Sequence, residues 1–379
     1  MKIEQMFWTQ ESGWGPTAPG GLGAAAQLVL IFGSTPVLKE QQIFHEIKYA
    51  YPNAHLFGCS TSGEIYETQV FDESLVVTAI QFEATQVQGV RIKLSDGIGS
   101  FEAGERLVKE LDRPGLVHVI VLAEGLKING SQFMDGLTKH LPPHVSVTGG
   151  MSADGTRFQE TLAFWDSMPE KEVIAAIGLY SDRLRVGYGS LGGLDSFGPE
   201  RLITRSKDNV LYELDGKSAL SLYKTYLGAY AQGLPASGGL FPLSIRTSKN
   251  AKPVVRTVLA INEDEHSMTF TSNMPEGAYV RFMRANLDRL VDGAIGAART
   301  SYEAIGSSSP DLAVLVSCIS RKLVLKQRIE EEVEGVRNVL GERAVFTGFY
   351  SYGEICPFTP GGKCELHNQT MTITTLSEG

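Results

Sequence analysis

Two short segments at opposite ends of the chain carry the same chemistry. Ser60-Thr61-Ser62-Gly63-Glu64-Ile65 and Tyr350-Ser351-Tyr352-Gly353-Glu354-Ile355 each place hydroxyls before a glycine and a carboxylate after it. Glycines at Gly58, Gly63, Gly348 and Gly353 permit positive φ, so several backbone N–H groups are expected to converge there on a carboxylate or another small anion. Ser60, Ser62 and Ser351 add short donors. Glu64 and Glu354 supply negative charge for an ammonium group. A third turn, Gly149-Gly150-Met151-Ser152-Ala153-Asp154, is a cousin in which the acid follows alanine; it adds Gly150 and Asp154 to the candidate binding residues. Together these are the two halves of a receptor for a zwitterion. The rival chemistry is catalytic, with Cys59 or a serine as nucleophile and Glu64 or Glu354 as acid–base. Against it, no histidine or lysine stands in the motifs to depress the thiol pKa, and Phe349 takes the place of Cys59 in the last copy. Each residue also has an ordinary structural role open to it: a turn glycine, a capping serine, a carboxylate bonded to neighbouring backbone.

Around these turns stand further candidates. Phe349, Tyr350 and Tyr352 would give an apolar wall with polar handles. Arg321, in Cys318-Ile319-Ser320-Arg321 just past an expected strand, is a cation able to clamp a carboxylate in a fork; its alternative is a surface ion pair with Glu330-Glu331-Glu332. That acidic run is expected on a solvated helix face. Lys127, in the loop after another strand, is a weaker candidate.

The elements that must hold these residues alternate in a regular way. Leu28 to Phe32 reads as a strand, Thr35-Pro36 opens a helix carrying Ile43, Phe44 and Ile47, and Ala54 to Phe57 leads into Gly58. Leu312 to Ser317, the helical face Ile329, Val333, Val336 and Leu340, and Ala344 to Thr347 leading into Gly348 repeat the order. A third unit runs from Leu116 to Ala123, through a helix after Ser131, to Val145-Ser146-Val147. A fainter trace, Ala236-Ser237-Gly238-Gly239-Leu240, has no acid. Between the units, Leu75 to Phe82 with Val87 to Leu94, Val173 to Tyr180 with Leu184 to Tyr188, and Val254 to Ile261 with Ser267 to Ser272 read as antiparallel hairpins, and Met371 to Thr375 as a last strand. The expected fold class is α/β with mixed α+β character: two pseudo-repeated domains whose mixed parallel and antiparallel sheets are covered by helices.

Composition excludes several function classes. The 379 residues favour two domains over one core. A net charge of −9 without a basic cluster argues against nucleic acid or an anionic membrane as partner. The N-terminus lacks a leader pattern and the apolar runs are strand-sized, so no membrane span and a cytoplasmic location are expected. Cys59, Cys318, Cys356 and Cys364 show no CxxC spacing; Cys356 and Cys364 flank a loop but are expected as free thiols. Gly187-Tyr188-Gly189-Ser190-Leu191-Gly192 spells a dinucleotide fingerprint without the helix it needs, and Gly216-Lys217-Ser218 lacks the glycine of a P-loop at Leu211. The histidines have no ligand spacing. No cofactor and no metal are expected.

A family resemblance then emerges. Leu56 to Ile65, Thr148-Gly149-Gly150 with Asp154-Gly155, and Arg201 to Thr204 with Tyr212 to Lys217 resemble the N-terminal FIST domain and its junction. Gly348 to Ile355 and His367 to Thr370 resemble the end of the FIST C-terminal domain. The resemblance divides the chain into an extension (1–24), an N-like domain (25–217) and a C-like domain (218–379). It implies small-ligand sensing, amino acids included, in signal transduction. Members are often fused to kinase, cyclase or chemotaxis output modules. Only a few residues follow Thr375, so the resemblance implies a stand-alone sensor whose output lies in a separate signalling protein.

Overall fold

Three βαβ units build the body of the molecule, in a computed structural model that describes residues 1–94, 97–248, 250–357, 359 and 361–379. Leu28–Gly33 runs parallel to His55–Ser60, Leu116–Ala123 to Ser146–Met151, and Leu312–Cys318 to Val345–Ser351. The intervening helices form where the apolar spacing is helical. Gln41–Ala50 buries Ile43 and Ile47, one turn apart, and Gly130–Thr138 is capped by the Asn129 side chain, which accepts from the Ser131 and Gln132 N–H groups.

Each pair of parallel strands sits in a different sheet, and the strands are apolar on both faces for one reason. Helices cover the outer face of each sheet, while the inner faces of all three meet in one core that includes Phe32, Phe57, Ile120, Leu122, Val316 and Phe349. The sheets are stitched together cyclically. After its glycine turn the first unit sends Glu64–Tyr66 to pair with Val345–Ser351 of the third. The third sends Glu354–Pro357 to pair with Ser146–Met151 of the second. The second sends Leu162–Trp165 to pair with His55–Ser60 of the first. The mixed sheets and helical cover are those expected. Within them the unit recurs three times, so the divergent turn at Gly149 holds the same place as the two closer copies.

Two of the expected hairpins are corrected. Ser74–Gln81 lies in the sheet of the first unit and Gln86–Lys93 in that of the second; Val173–Tyr180 lies in the second and Leu184–Leu191 in the third. Strands adjacent in sequence diverge because they cross from one sheet to another around the common core, where Phe82 and Leu184 are buried. The third hairpin is present, with Val258–Asn262 paired to Ser267–Phe270. It belongs to a fourth layer, an eight-stranded sheet built from residues 194–285 with its own core of Ile203, Tyr223, Met268, Phe270 and Phe282. Helix Ala219–Leu227 packs in that core, so the expected boundary at residue 217 falls inside the layer. The trace at 236–240 is a 3-10 helix.

Glycine is required here mainly by close approach. A Cβ at Gly58, Gly149 or Gly348 would overlap the carbonyl oxygen of Ile31, Val121 or Leu315 in the neighbouring parallel strand. Positive φ, expected at four positions of the repeated turns, is found at Gly63 and not at Gly58, Gly348 or Gly353. Gly187 and Gly189 of the false dinucleotide fingerprint lie in strand Leu184–Leu191, where their missing side chains let the carbonyls of Ser301 and Ala297 in helix Leu287–Ala304 rest against the strand.

The acidic run after Arg328 also needs correction. Glu332 is fully buried on the inner face of helix Ile329–Leu340, where it accepts from Ser317 Oγ at 3.1 Å, Tyr350 OH at 2.6 Å, and Arg321 Nε and Nη2 at 2.9 and 2.6 Å. The Arg321 pair is therefore internal, not superficial, and every donor around the carboxylate is used. Removing one partner of such a pair strands a buried charge, which costs about 3–5 kcal/mol. Glu332→Ala should lower the urea unfolding free energy by about that much, and Arg321→Met/Glu332→Leu should recover most of it. A loss under about 1 kcal/mol in the single variant would show that the pair is solvated after all.

Candidate functional site

The three glycine turns meet at the centre of the cycle and bond to one another. Ser62 N–H donates to the Tyr350 carbonyl at 2.8 Å and Tyr350 N–H to the Gly63 carbonyl at 2.9 Å. Met151 N–H donates to the Gly353 carbonyl, and Ala153 N–H to the Ser60 carbonyl, both at 2.8 Å. The N–H groups expected to converge on a ligand are thus spent in tying turn to turn. The correction has a simple cause: backbone donors buried at a triple junction must find acceptors, and the adjoining turns supply them.

The two closer copies share their internal ties as well. Glu64 accepts from Thr61 Oγ1 and from Ser74 N at 3.3 Å; Glu354 accepts from Ser351 Oγ at 2.9 Å and from Thr370 N and Oγ1 at 3.1 and 2.9 Å. Each carboxylate links the start of its own hairpin to the residue that opens or precedes the next long strand. Both are fully buried, and burial pushes Glu64 up from the ordinary 4.5 to about 7 and Glu354 to about 8, against the opposing pull of their donors. Asp154 replaces them in the third turn, accepting from the N–H groups of Phe158, Gln159 and Glu160 and from Tyr352 OH.

Above the Glu64 turn opens a cleft of about 390 Å³. All three units line it. Ser34, Thr61, Ser62, Gly63 and Glu64 come from the first, Gly155, Thr156 and Arg157 from the second, and Ile319, Lys322 and Leu323 from the third, with Asp72 and Glu73 at the wall. Lys322 Nζ donates to the Ser62 carbonyl at 2.9 Å and pairs with Asp72, whose side chain is 71% exposed. Arg157 is half-exposed, its Nε 3.9 Å from Asp154. Ser34 Oγ is buried with no hydrogen-bond partner among the described residues, as is Thr35 Oγ1 beside it. A hydroxyl buried without a partner loses the bonds it had in water, a cost of roughly 1–3 kcal/mol that an incoming acceptor or donor removes.

Of the residues singled out in the sequence, the structure brings Ser62, Gly63 and Glu64 to this cleft and Asp154 to its floor through Gly155. The others lie elsewhere. Gly58 is enclosed against the Ile31 carbonyl, Gly150 against Val316, and Ser60 Oγ accepts from Leu162 N–H at 2.8 Å. Cys59 is buried in the common core, where burial first and Glu64 second push its thiol well up. Phe349 packs at a tilt against Phe32 in that core. Tyr350 is buried on Glu332. Ser351 and Glu354 face the far side of the junction, close to a chamber of about 20 Å³ between Tyr352, Cys318 and Ser320, the room of a single water. Lys127 is exposed and pairs with Glu172. Arg321, fully engaged by Glu332, is replaced at the site by its neighbour Lys322. Adjacent helical residues point about 100° apart, so one faces the core and the next the cleft. Nothing in the sequence singled out Ser34, which stands just past strand Leu28–Gly33 at the N-cap of helix Thr35–Leu38. Cys356 and Cys364 are buried free thiols on neighbouring strands. Among the described residues no three metal-ligating side chains cluster, and no helix is long and apolar enough to cross a membrane.

With this geometry in place, comparison with known proteins defines the class. Residues 27–217 match the FIST N domain and residues 219–357 the FIST C domain. The chain belongs to the FIST family, whose domains are signal-transduction sensor domains. No curated protein matches it. Among solved structures, a cyanuric acid hydrolase from A. caulinodans aligns over 78% of this chain and 99% of its own at 10% identity, with a TM-score of 0.18. A likeness that slight carries no argument about activity.

The raised carboxyls make stability depend on pH. Glu64 and Glu354 favour the folded state in their neutral forms, so their contribution is complete below 4.5 and is lost as pH rises through about 7 and about 8. The melting temperature should fall between pH 5.5 and 9, and Glu354→Gln should flatten the fall. An identical slope in wild type and Glu354→Gln would show that Glu354 is already ionised at pH 5.5.

Proposed function

We propose that this FIST protein senses a small zwitterionic or carboxylate-bearing metabolite, such as an amino acid, in the cleft where its three turns meet. The observation that carries this reading is the unpartnered, buried Ser34 hydroxyl on a cleft that also presents a cation, Lys322, and carboxylates, Glu64 and Asp72. A ligand carboxylate fits Lys322, Arg157 and Ser34. An ammonium group fits Asp72 and Glu64, the latter becoming ionised as the cation approaches. The volume suits a molecule of amino-acid size, and the cleft draws on all three units, so occupancy bears on how they sit together. Four buried free thiols support a reducing, cytoplasmic setting. The output is proposed to lie in a separate signalling protein. The cysteine form of the nucleophilic alternative loses support because the Cys59 thiol is enclosed and held neutral.

A thermal-shift screen of amino acids and small carboxylates, followed by calorimetry, tests this reading. Lys322→Gln should weaken binding by about 2–5 kcal/mol, because its charge meets the ligand inside the cleft. Cys59→Ser should leave affinity within about tenfold, ~1.4 kcal/mol. The proposal fails if no such metabolite stabilises the protein, or if Lys322→Gln binds as tightly as wild type.

A further inference from the structure

Two arginines among the described residues are almost wholly buried, and they are treated differently. Arg321 is 0% exposed and is matched by Glu332, with the remaining donors on the Gln369 and Leu290 carbonyls. Arg256, 7% exposed, has no carboxylate within bonding distance among the described residues. Its Nη1 reaches only the carbonyls of Leu366 and Val255, at 3.1 and 3.2 Å, and its Nε is buried with no partner. Burial pulls the guanidinium down from 12.5 to about 10, against the opposing charge of Glu365. A buried cation held by two neutral carbonyls is under-compensated, and an anion that reaches it gains what Glu332 supplies to Arg321.

Such an anion has a place to sit. Arg256 lines a cleft of about 470 Å³ between the 194–285 layer and the second βαβ unit. Lys252 and Lys363 line it too, with the carboxylates Asp135 and Glu365. Lys363 is paired with Asp135 at 2.5 Å, both at least half-exposed and free to rearrange. Ser131, in the first turn of helix Gly130–Thr138, and Asn273 add polar groups; Ser131 Oγ accepts from the Asn273 N–H at 3.1 Å and so already joins helix to layer. This cleft shares no lining residue with the one above Glu64.

We propose that this second cleft is a binding site for a small oxyanion, a phosphoryl or carboxylate group, with Arg256 as its buried anchor and Lys363 at its rim. The bound anion bridges the 194–285 layer to the helix of the second unit and fixes one against the other.

The test uses the full chain in a low-salt buffer, with inorganic phosphate and succinate as separate probes and sodium chloride at matched ionic strength as control. A saturable rise in melting temperature with phosphate or succinate, absent with chloride, is expected; which probe acts at lower concentration distinguishes a phosphoryl from a carboxylate group. Arg256→Met should keep or raise the melting temperature without anion, since it removes an under-compensated charge, and should weaken the response at least tenfold. Lys363→Glu, at an exposed position, should weaken it similarly, and Lys127→Gln, at an exposed position outside both clefts, should leave it unchanged. The proposal is overturned if neither probe exceeds the chloride control or if Arg256→Met retains the full response. Should Arg256→Met not fold, an undiminished response in Lys363→Glu overturns it instead.

Discussion

A carboxylate buried without a cation at bonding distance has to find its donors close by, and the centre of this molecule is organised by that constraint. Glu64 and Glu354 each sit where a returning parallel strand ends and a short hairpin departs for another sheet. Each takes a hydroxyl three residues earlier in its own turn, Thr61 or Ser351, and the backbone N–H and hydroxyl of the residue that begins the way back, Ser74 or Thr370. The acid therefore closes a loop around the hairpin and fixes the angle at which it leaves. Asp154 does comparable work with three successive backbone donors. Because each hairpin completes a neighbour's sheet, three local closures together define one global arrangement.

Function can grow at such a junction because the closure is incomplete. Most polar groups of the turns are consumed by one another, but on the side of the Glu64 turn the units stand apart. There Ser34 keeps a hydroxyl unpartnered and Lys322 crosses from the third unit to the first. On the Glu354 side the 3-10 helix at Ala236–Leu240 and strand Val258–Asn262 fill the corresponding space, leaving room for a water. The same motif is open in one setting and roofed in another.

Much of this was written in the chain. The three βαβ units followed from apolar runs alternating with helical spacing, and the shared register of Glu64 and Glu354 from the repeated residues alone. Strand partners were not legible, since an apolar run such as Val173–Tyr180 does not say which of three sheets it enters. Nor was the direction of single side chains. Arg321 and Lys322 are adjacent cations, and only the helix that carries them decides which meets Glu332 and which meets the cleft. Glu332 is a partial exception: it stands three residues after Ile329 and four before Val336, on the apolar face of its helix, and the neighbouring acids masked that position. Gly58 and Gly348 read as turn glycines of a binding loop because a sequence shows that a side chain is missing but not whether the space is taken by a ligand or by a carbonyl.

The exchange of hairpins between units also bears on how the chain is made. Glu64–Tyr66 finds its partner in Val345–Ser351, which leaves the ribosome only after most of the chain has been synthesised. Until then one edge of an apolar hairpin and the inner faces of two sheets have nothing to cover them. Contacts so distant in sequence fold slowly and leave unpaired edges exposed during synthesis. The arrangement that lets three units share one core thus makes the first unit's hairpin wait for a partner strand that lies far along the chain.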